Sequence, residues 1–455
     1  MLNPKLESRS KNNKVKDFMN SQKEIRISIN PYPGFYRSAA AISFDYETSA
    51  VSNNPGFYSP FKKRLLRMYH AMKKTHRDLS GIYGRGYANR LGAENIIGIF
   101  RKYRIHGTWF STGHVLLKGN KNRDAFRINQ TLPYATREAG FPGSLTWRRD
   151  TPTFSQEPYG DYKKYPYWYM GDQAEKLRSM GEDIQCHTFS HPYMALESIK
   201  NTRTDISDWQ SAALKNGFRS ACILAFPYQG DIYRNFYNLG LKAHPSLKIE
   251  GQPFKDIIFS TPGLRVLEES GIELVTRCGS RIGAVPDRGF VGYENSNLFC
   301  MSDMNFNPRL PAFESLRRKI NEVVEKECAL DIWMHPNNVF SRQEVENFEK
   351  LVKFLKEEAN KTNIWLTTIL ETWEHFKKVA ACQVHIQVKR GKTRIYEARV
   401  YNGNNTSMEN LGMKVNASAV HIIEPDRNIA CCKNRISIGK LMVNQTYRFK
   451  FCVGG

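Results

Sequence analysis

His187 and His191 stand four positions apart in Asp183-Ile184-Gln185-Cys186-His187-Thr188-Phe189-Ser190-His191-Pro192, where a short apolar strand gives way to a turn. Two imidazoles at this spacing can face one divalent cation, and imidazole is a good donor to zinc and its first-row neighbours. The same spacing also arises among hydrogen-bonded core or surface histidines, so the neighbouring chemistry has to decide. Ile42-Ser43-Phe44-Asp45-Tyr46-Glu47 offers two carboxylates at alternate positions of a strand. They share a face, and like charges in close quarters favour a division of roles, one ligating metal while the other takes a proton. Ile223 to Gly230 ends a strand in Phe226-Pro227-Tyr228, a rigid turn that can aim a backbone N–H at a developing oxyanion. Leu330-Asp331-Ile332-Trp333-Met334-His335 ends another strand in a histidine, whose ordinary pKa suits it to protonating a leaving amine. Each cluster also has a plain reading as solvated carboxylates, a turn or a structural histidine.

These clusters need a scaffold that brings strand ends together. Short apolar runs of strand character lie at 40–44, 108–111, 183–186, 221–226, 273–276, 298–301, 330–334 and 364–368. Stretches of helical period fall between them at 93–103, 171–180, 205–216, 312–326 and 341–360. Such alternation predicts a parallel sheet, and with seven or eight units closure into a distorted (β/α) barrel is the economical arrangement, with its chemistry at the carboxyl ends of the strands. From Cys382 the pattern changes to short alternating runs separated by turn residues such as Asn402-Gly403-Asn404-Asn405, which predicts a small antiparallel sandwich of about six strands. The expected organisation is therefore a basic tail over 1–37, a barrel over 38–379 with insertions at about 48–90 and 115–168, and an accessory sandwich over 380–455. The second insertion and its edge are rich in rings and arginines, among them Trp147, Arg148, Arg149, Tyr159, Tyr162, Tyr165, Tyr167, Trp168 and Tyr169. These rings suit either sugar stacking in a cleft or loop packing.

At 455 residues the chain is long enough to bury two cores, and 41% hydrophobic residues with no apolar run of bilayer length exclude a spanning helix. Residues 1–22 are polar and basic and lack the apolar stretch of a secretion signal, so the expected location is the cytoplasm, with a surface or extracellular site as the alternative. The nine cysteines are scattered and odd in number, without C-x-x-C spacing, which suits reduced thiols. A net charge of +23 favours anionic partners. No nucleic-acid-binding signature accompanies that charge, so no specific nucleic acid is expected. Residues 61–74 read as a basic amphipathic helix, suited to a membrane surface or to packing on the protein itself.

In this order and on this scaffold the four clusters resemble the polysaccharide deacetylase family with the NodB homology domain, carbohydrate esterase family 4. Ser43-Phe44-Asp45-Tyr46-Glu47 is similar to its Thr-Phe-Asp-Asp motif and His187-Thr188-Phe189-Ser190-His191 to its His-Ser/Thr-x-x-His motif. Phe226-Pro227-Tyr228 is similar to its Arg-x-Pro-Tyr motif and Leu330 to His335 to its Leu-x-x-His motif. Gly107 to Gly113 and Leu177 to Ile184 resemble the second strand and the approach to the histidines, and the likeness spans about 38–376.

The resemblance implies a NodB-type barrel holding a divalent metal, usually Zn2+, with Co2+, Mn2+ or Fe2+ as alternatives. It implies His187 and His191 as ligands, Asp45 as general base, His335 as general acid and the Tyr228 N–H as an oxyanion donor. Tyr46 occupies the slot of the family's third ligand, so Glu47, one position later, is the expected substitute in an Asp-x-Glu variant. The family's base-orienting arginine should fall near Ala225 and is missing there; Arg277, at the end of Val275-Thr276-Arg277, is the candidate replacement. The implied activity is hydrolytic removal of acetyl groups from an N-acetylated sugar or polysaccharide, with anionic glycans and O-acetyl esters within reach of the same machinery. The alternatives are a related C–N hydrolase acting on a non-sugar amide or cyclic ureide, and a non-catalytic glycan-binding relative. The oligomeric state, the glycan and the role of the sandwich stay open.

Overall fold

A computed structural model describes residues 25–48, 85–124, 158–192, 194, 199–227, 248–249, 252–253, 261–278, 290–292, 296–389, 395–424 and 427–454. The basic segment 61–74, Trp147, Arg148, Arg149 and Tyr228 lie outside the described residues. No described helix is long and apolar enough to cross a membrane. The chain divides into two compact units, one of residues 37–374 and one combining 1–36 with 375–455.

The larger unit is built around β2 (Ser38–Tyr46), every residue of which is buried. A strand covered on both faces reads as a continuous small and apolar run rather than an alternation, and Ser-Ala-Ala-Ala-Ile-Ser-Phe is such a run. It is followed by α1 (Arg85–Tyr103), β3 (Thr108–Ser111), α2 (Gly171–Ser179), β4 (Asp183–Cys186), α3 (Ile199–Lys215), β5 (Ile223–Ala225), α4 (Thr261–Glu269) and β6 (Leu274–Thr276). Strands β2 to β6 pair side by side in parallel.

The ring closes through one broken strand. β8 (Phe299–Met301) pairs in parallel with β6, and β9 (Asp303–Asn305) pairs in parallel with β10 (Ala329–Met334), which returns to β2. Ser302 is the break, and its carbonyl accepts the Asp331 N–H at 2.9 Å, so no backbone bond is lost there. The short β7 (Phe290–Gly292) lies antiparallel outside β8. The eighth parallel strand, β11 (Ile364–Leu366), pairs with residues 38–40 of β2, which makes the barrel irregular at that seam.

Helices α5 (Phe313–Glu325) and α6 (Arg342–Thr362) complete the alternation. Ser341 and Glu344 form a capping box at the start of α6, and Asn363 in the left-handed region (φ 57°) ends it. Between sheet and helices the Phe44 ring packs against Trp109, Phe100 and Phe348 with centroids 4.5, 5.8 and 6.0 Å away. In the described part of the second insertion Tyr162, Tyr165, Trp168 and Tyr169 pack on or in this core.

The unit boundary falls within α7 (Ile369–Ala380), after which the other unit holds β12 (Cys382–Lys389), β13 (Ile395–Asn402), β14 (Met408–Val415), β15 (Ala419–Ile422), β16 (Ile429–Cys432), β17 (Arg435–Leu441) and β18 (Thr446–Gly454). Two four-stranded antiparallel sheets result, in the orders β12-β13-β18-β15 and β1-β14-β17-β16. The first strand of the second sheet, β1 (Ile27–Ile29), comes from the segment expected to be a tail. Its alternation explains the recruitment, since Ile25, Ile27 and Ile29 pack against the buried cluster to which Leu411, Met413, Ile436 and Ile438 belong.

The approach of α1 to the turn after β10 is close enough to require a glycine. A Cβ on Gly92 would sit 1.8 Å from the Pro336 carbonyl oxygen. Helix propensity alone makes Gly92→Ala stabilising by about 1 kcal/mol. The steric conflict is expected to win, with a net loss of about 1–3 kcal/mol in urea unfolding; a gain would show that α1 does not press on this turn.

Candidate metal centre

Alternation along β2 separates its last residues onto two faces. Phe44 and Tyr46 turn into the core, where the Tyr46 ring meets Trp109 at 5.5 Å and its hydroxyl donates to Gln173 Oε1. Burial pushes the Tyr46 hydroxyl well above the usual phenol range. Tyr46 is thus a core residue, while Asp45 and Glu47 face the open rim of the barrel together. Asn89 on α1 fixes that rim: its Nδ2 donates to the Glu47 carbonyl at 2.9 Å, and its Oδ1 accepts the N–H of Asn337, two residues after His335, at 2.8 Å.

β4 delivers the histidines. The His187 N–H donates to the Ser111 carbonyl at the end of β3, at 3.0 Å. The chain then turns through Thr188 (φ 63°) and His191 (φ 59°), left-handed conformations that cost a non-glycine residue free energy and mark an over-determined site. Thr188 Oγ1 accepts the His191 N–H at 3.0 Å, closing the turn.

The two rings lie 4.8 Å apart, and one donor atom from each of Glu47, His187 and His191 falls within 4.8 Å of the others. Glu47 Oε1 is 3.3 Å from His191 Nε2 and 3.8 Å from His187 Nε2. His187 Nδ1 lies 2.9 Å from the Ala225 carbonyl, which only accepts, so Nδ1 carries the proton and Nε2 presents a lone pair. That Nε2 is buried and has no hydrogen-bond partner. An orphaned lone pair beside a second imidazole and a buried carboxylate makes a donor set of two nitrogens and one oxygen that could hold a divalent cation.

The base side is organised by Arg277, which is 1% exposed. Its Nη2 and Nε donate to Asp45 Oδ1 at 2.9 and 3.2 Å, its Nη1 donates to Asp331, and Nη2 also reaches Ser43 Oγ at 2.8 Å. The guanidinium lies between two rings, 4.6 Å from the Trp333 centroid and 5.2 Å from Phe110. Burial works to raise the Asp45 pKa, but Arg277 above all, helped by His187 and His335, holds it below the usual carboxylate range. Asp331 is raised by its burial in spite of Arg277. Asp303, whose oxygens accept the Arg277 N–H and Trp333 Nε1–H at 2.9 and 3.0 Å, is pushed up by burial to about 6. With Asp45 and Asp331 sharing one guanidinium and Glu47 beside them, negative charge is in surplus, and a dication offsets it.

His335 completes the cluster from the end of β10. Its Nε2 lies 3.3 Å from Glu47 Oε1 and 3.9 Å from Asp45 Oδ2. Its side chain is 22% exposed, against 1–6% for those of Asp45, Glu47, His187 and His191, so the centre opens to solvent on its side. The structure therefore brings together Asp45, Glu47, His187, His191, Arg277 and His335. Position 225 carries no cation; its carbonyl orients His187 instead. Sequence reasoning passed over Asn89, Asp303 and Asp331. Asp331 lay in view inside the Leu330 to His335 segment, while Asn89 carries no local signal.

A family model described as polysaccharide deacetylase matches residues 83–242, a span that holds His187 and His191 but not Asp45, Glu47, Arg277 or His335. No curated protein matches the sequence. Among solved structures, a putative polysaccharide deacetylase from Mycobacterium smegmatis is similar at 12% identity, covering 77% of this chain and 95% of that one, with a TM-score of 0.43. An allantoinase is similar at 12% identity over 76% and 93% of the two chains (TM-score 0.44), and a peptidoglycan deacetylase from Bacillus subtilis at 12% over 77% and 96% (TM-score 0.32).

Arg277→Met leaves two buried carboxylates without their cation. The expected cost is about 3–5 kcal/mol in urea unfolding at pH 8. Freed of the guanidinium, Asp45 loses what holds its folded-state pKa down and Asp331, already raised by burial, rises further, so stability lost at high pH returns as the pH falls. The deficit against the parent should therefore shrink at pH 5.5; an equal deficit at both pH values would mean that Arg277 does not act by neutralising them.

Proposed function

We propose that this chain, which carries a polysaccharide deacetylase-family domain, is a metal-dependent hydrolase that removes acetyl groups from an N-acetylated sugar or polysaccharide. The observation that carries the reading is the convergence of Glu47, His187 and His191 on one point faced by Asp45 and His335. A divalent ion held by those three, zinc by donor type, supplies Lewis acidity toward the acetyl oxygen and lowers the pKa of water.

The chain's own groups do the rest. Arg277 engages Asp45 Oδ1 and leaves Oδ2 toward the imidazoles, 3.9 Å from both His187 Nε2 and His335 Nε2. Oδ2 takes the proton of the attacking water as its oxygen adds to the acetyl carbon. The C–N bond then breaks, the nitrogen keeps the electron pair, and a proton from His335 Nε2 neutralises it, releasing acetate and a free amine. His335 suits the acid role because its partly exposed ring stands where a substrate arrives. Arg277 takes the base-orienting role from β6 in place of a residue at position 225, and Glu47 takes the third ligand position in place of Tyr46. The backbone N–H of Tyr228 is the proposed oxyanion donor.

The test is acetate release from a panel of N-acetylated oligosaccharides, with a cyclic ureide as a contrasting C–N substrate. Zinc-loaded protein should release acetate, chelated protein should not, and Asp45→Asn should fall by about 10²–10⁴-fold. Acetate release that survives both chelation and Asp45→Asn would remove the mechanism, and turnover of the ureide alone would move the substrate class.

A further inference from the structure

Helix α3 takes no part in the reading above, yet two of its residues, one turn apart, grip the histidine turn. Asp205 is fully buried, and its carboxylate accepts three donors from the middle of the turn: the Phe189 N–H, the Ser190 N–H at 2.9 Å and the Ser190 hydroxyl at 2.7 Å. Trp209, also fully buried, donates its indole N–H at 2.7 Å to the Ser111 carbonyl, the same oxygen that accepts the His187 N–H. Residues four apart share a helix face, so one face of α3 reaches the His187 end of the turn through Ser111 and its middle through Asp205. A third clamp comes from Gly113, whose N–H donates to the Phe189 carbonyl at 3.0 Å and whose missing side chain makes room for the Phe189 ring.

We infer that Asp205 and Trp209 are positioning residues that hold His187 and His191 at their ligating separation before any ion binds, and so set the affinity of the centre for metal. This rests on the metal reading above. Thr188 and His191 both occupy left-handed backbone conformations, which an unanchored five-residue turn would leave. Leaving them rotates one imidazole relative to the other. The bonds of Asp205 end on the backbone of Phe189 and Ser190 and on the Ser190 hydroxyl rather than on either imidazole, so its effect passes through the turn's conformation.

The experiment measures zinc affinity of the full-length chain by competition with a chromophoric chelator, the visible spectrum of the cobalt-loaded form, and the melting temperature of metal-free protein. The variants are Asp205→Ala, Asp205→Asn and Trp209→Phe. Removing an outer partner of a metal ligand typically weakens binding 10–100-fold, and Asp205→Ala is expected in that range. Asp205→Asn keeps one oxygen for the two N–H groups and should lose less, and Trp209→Phe keeps the ring but not the donor and should also bind more weakly. The cobalt spectrum should change in step, while the metal-free melting temperature of Asp205→Asn stays near that of the parent. Variants that bind zinc as the parent does, with only their melting temperatures lowered, overturn the inference and leave the metal reading standing. A parent that binds no divalent ion overturns both.

Discussion

One guanidinium shared by two buried carboxylates is the interaction on which the centre depends. Arg277 is enclosed by protein, and burial opposes its charge, yet Asp331 and Asp45 keep it protonated. Burying an ion pair gains little by itself, because desolvation consumes most of the attraction. What the arrangement does is fix geometry. Asp331 and Ser43 hold one side of the fork, the rings of Phe110 and Trp333 hold its faces, and Asp45 is left with one oxygen engaged and the other facing the imidazoles.

A second constraint is the rigidity needed to keep unfavourable backbone in place. Thr188, His191 and Arg277 all have positive φ without being glycine. Arg277 follows directly on β6 and Thr188 comes two residues after β4, while His191 lies in the turn that Asp205 anchors through Phe189 and Ser190. The barrel also explains how residues from 45 to 335 meet. Strands β2, β4, β6 and β10 point the same way round a closed ring, so side chains at their carboxyl ends face a common space.

This geometry decides what was legible in the sequence. The parallel strands could be read because they are short apolar runs, although no helical period announced α4 between β5 and β6, and three of the site's elements, those after β2, β4 and β10, could be read because histidines and carboxylates stand at strand ends. Asp45 and Glu47 fell on one face and Tyr46 on the other as strand alternation requires. Asn89 and Asp205 were hidden because each lies within a helix, and what makes them matter is the tertiary docking of that helix against a strand end. Ile25 to Ile29 were passed over for a different reason. Three alternating isoleucines amid a basic stretch are too short a signal until a sheet edge is available to receive them.

The position of Arg277 carries the last step. A linear motif expects the base-orienting cation at the strand that also supplies the turn Phe226-Pro227-Tyr228. In a closed ring the requirement is looser, because neighbouring strand ends surround the same carboxylate. β5 and β6 are adjacent and in register, Ala225 opposite Thr276, so moving the cation from one strand to the residue after Thr276 shifts it by a single strand spacing. Position 225 is left for another task, and the Ala225 carbonyl has one: it accepts the hydrogen bond of His187 Nδ1–H, which leaves the opposite nitrogen toward Glu47. Substituting Glu47 for the usual neighbour of Asp45 follows the same logic along a strand. The adjacent residue, Tyr46, points into the core, whereas two positions on, the side chain returns to the rim. Under the proposed function, both departures would keep charge and lone pairs in place while changing which residue supplies them.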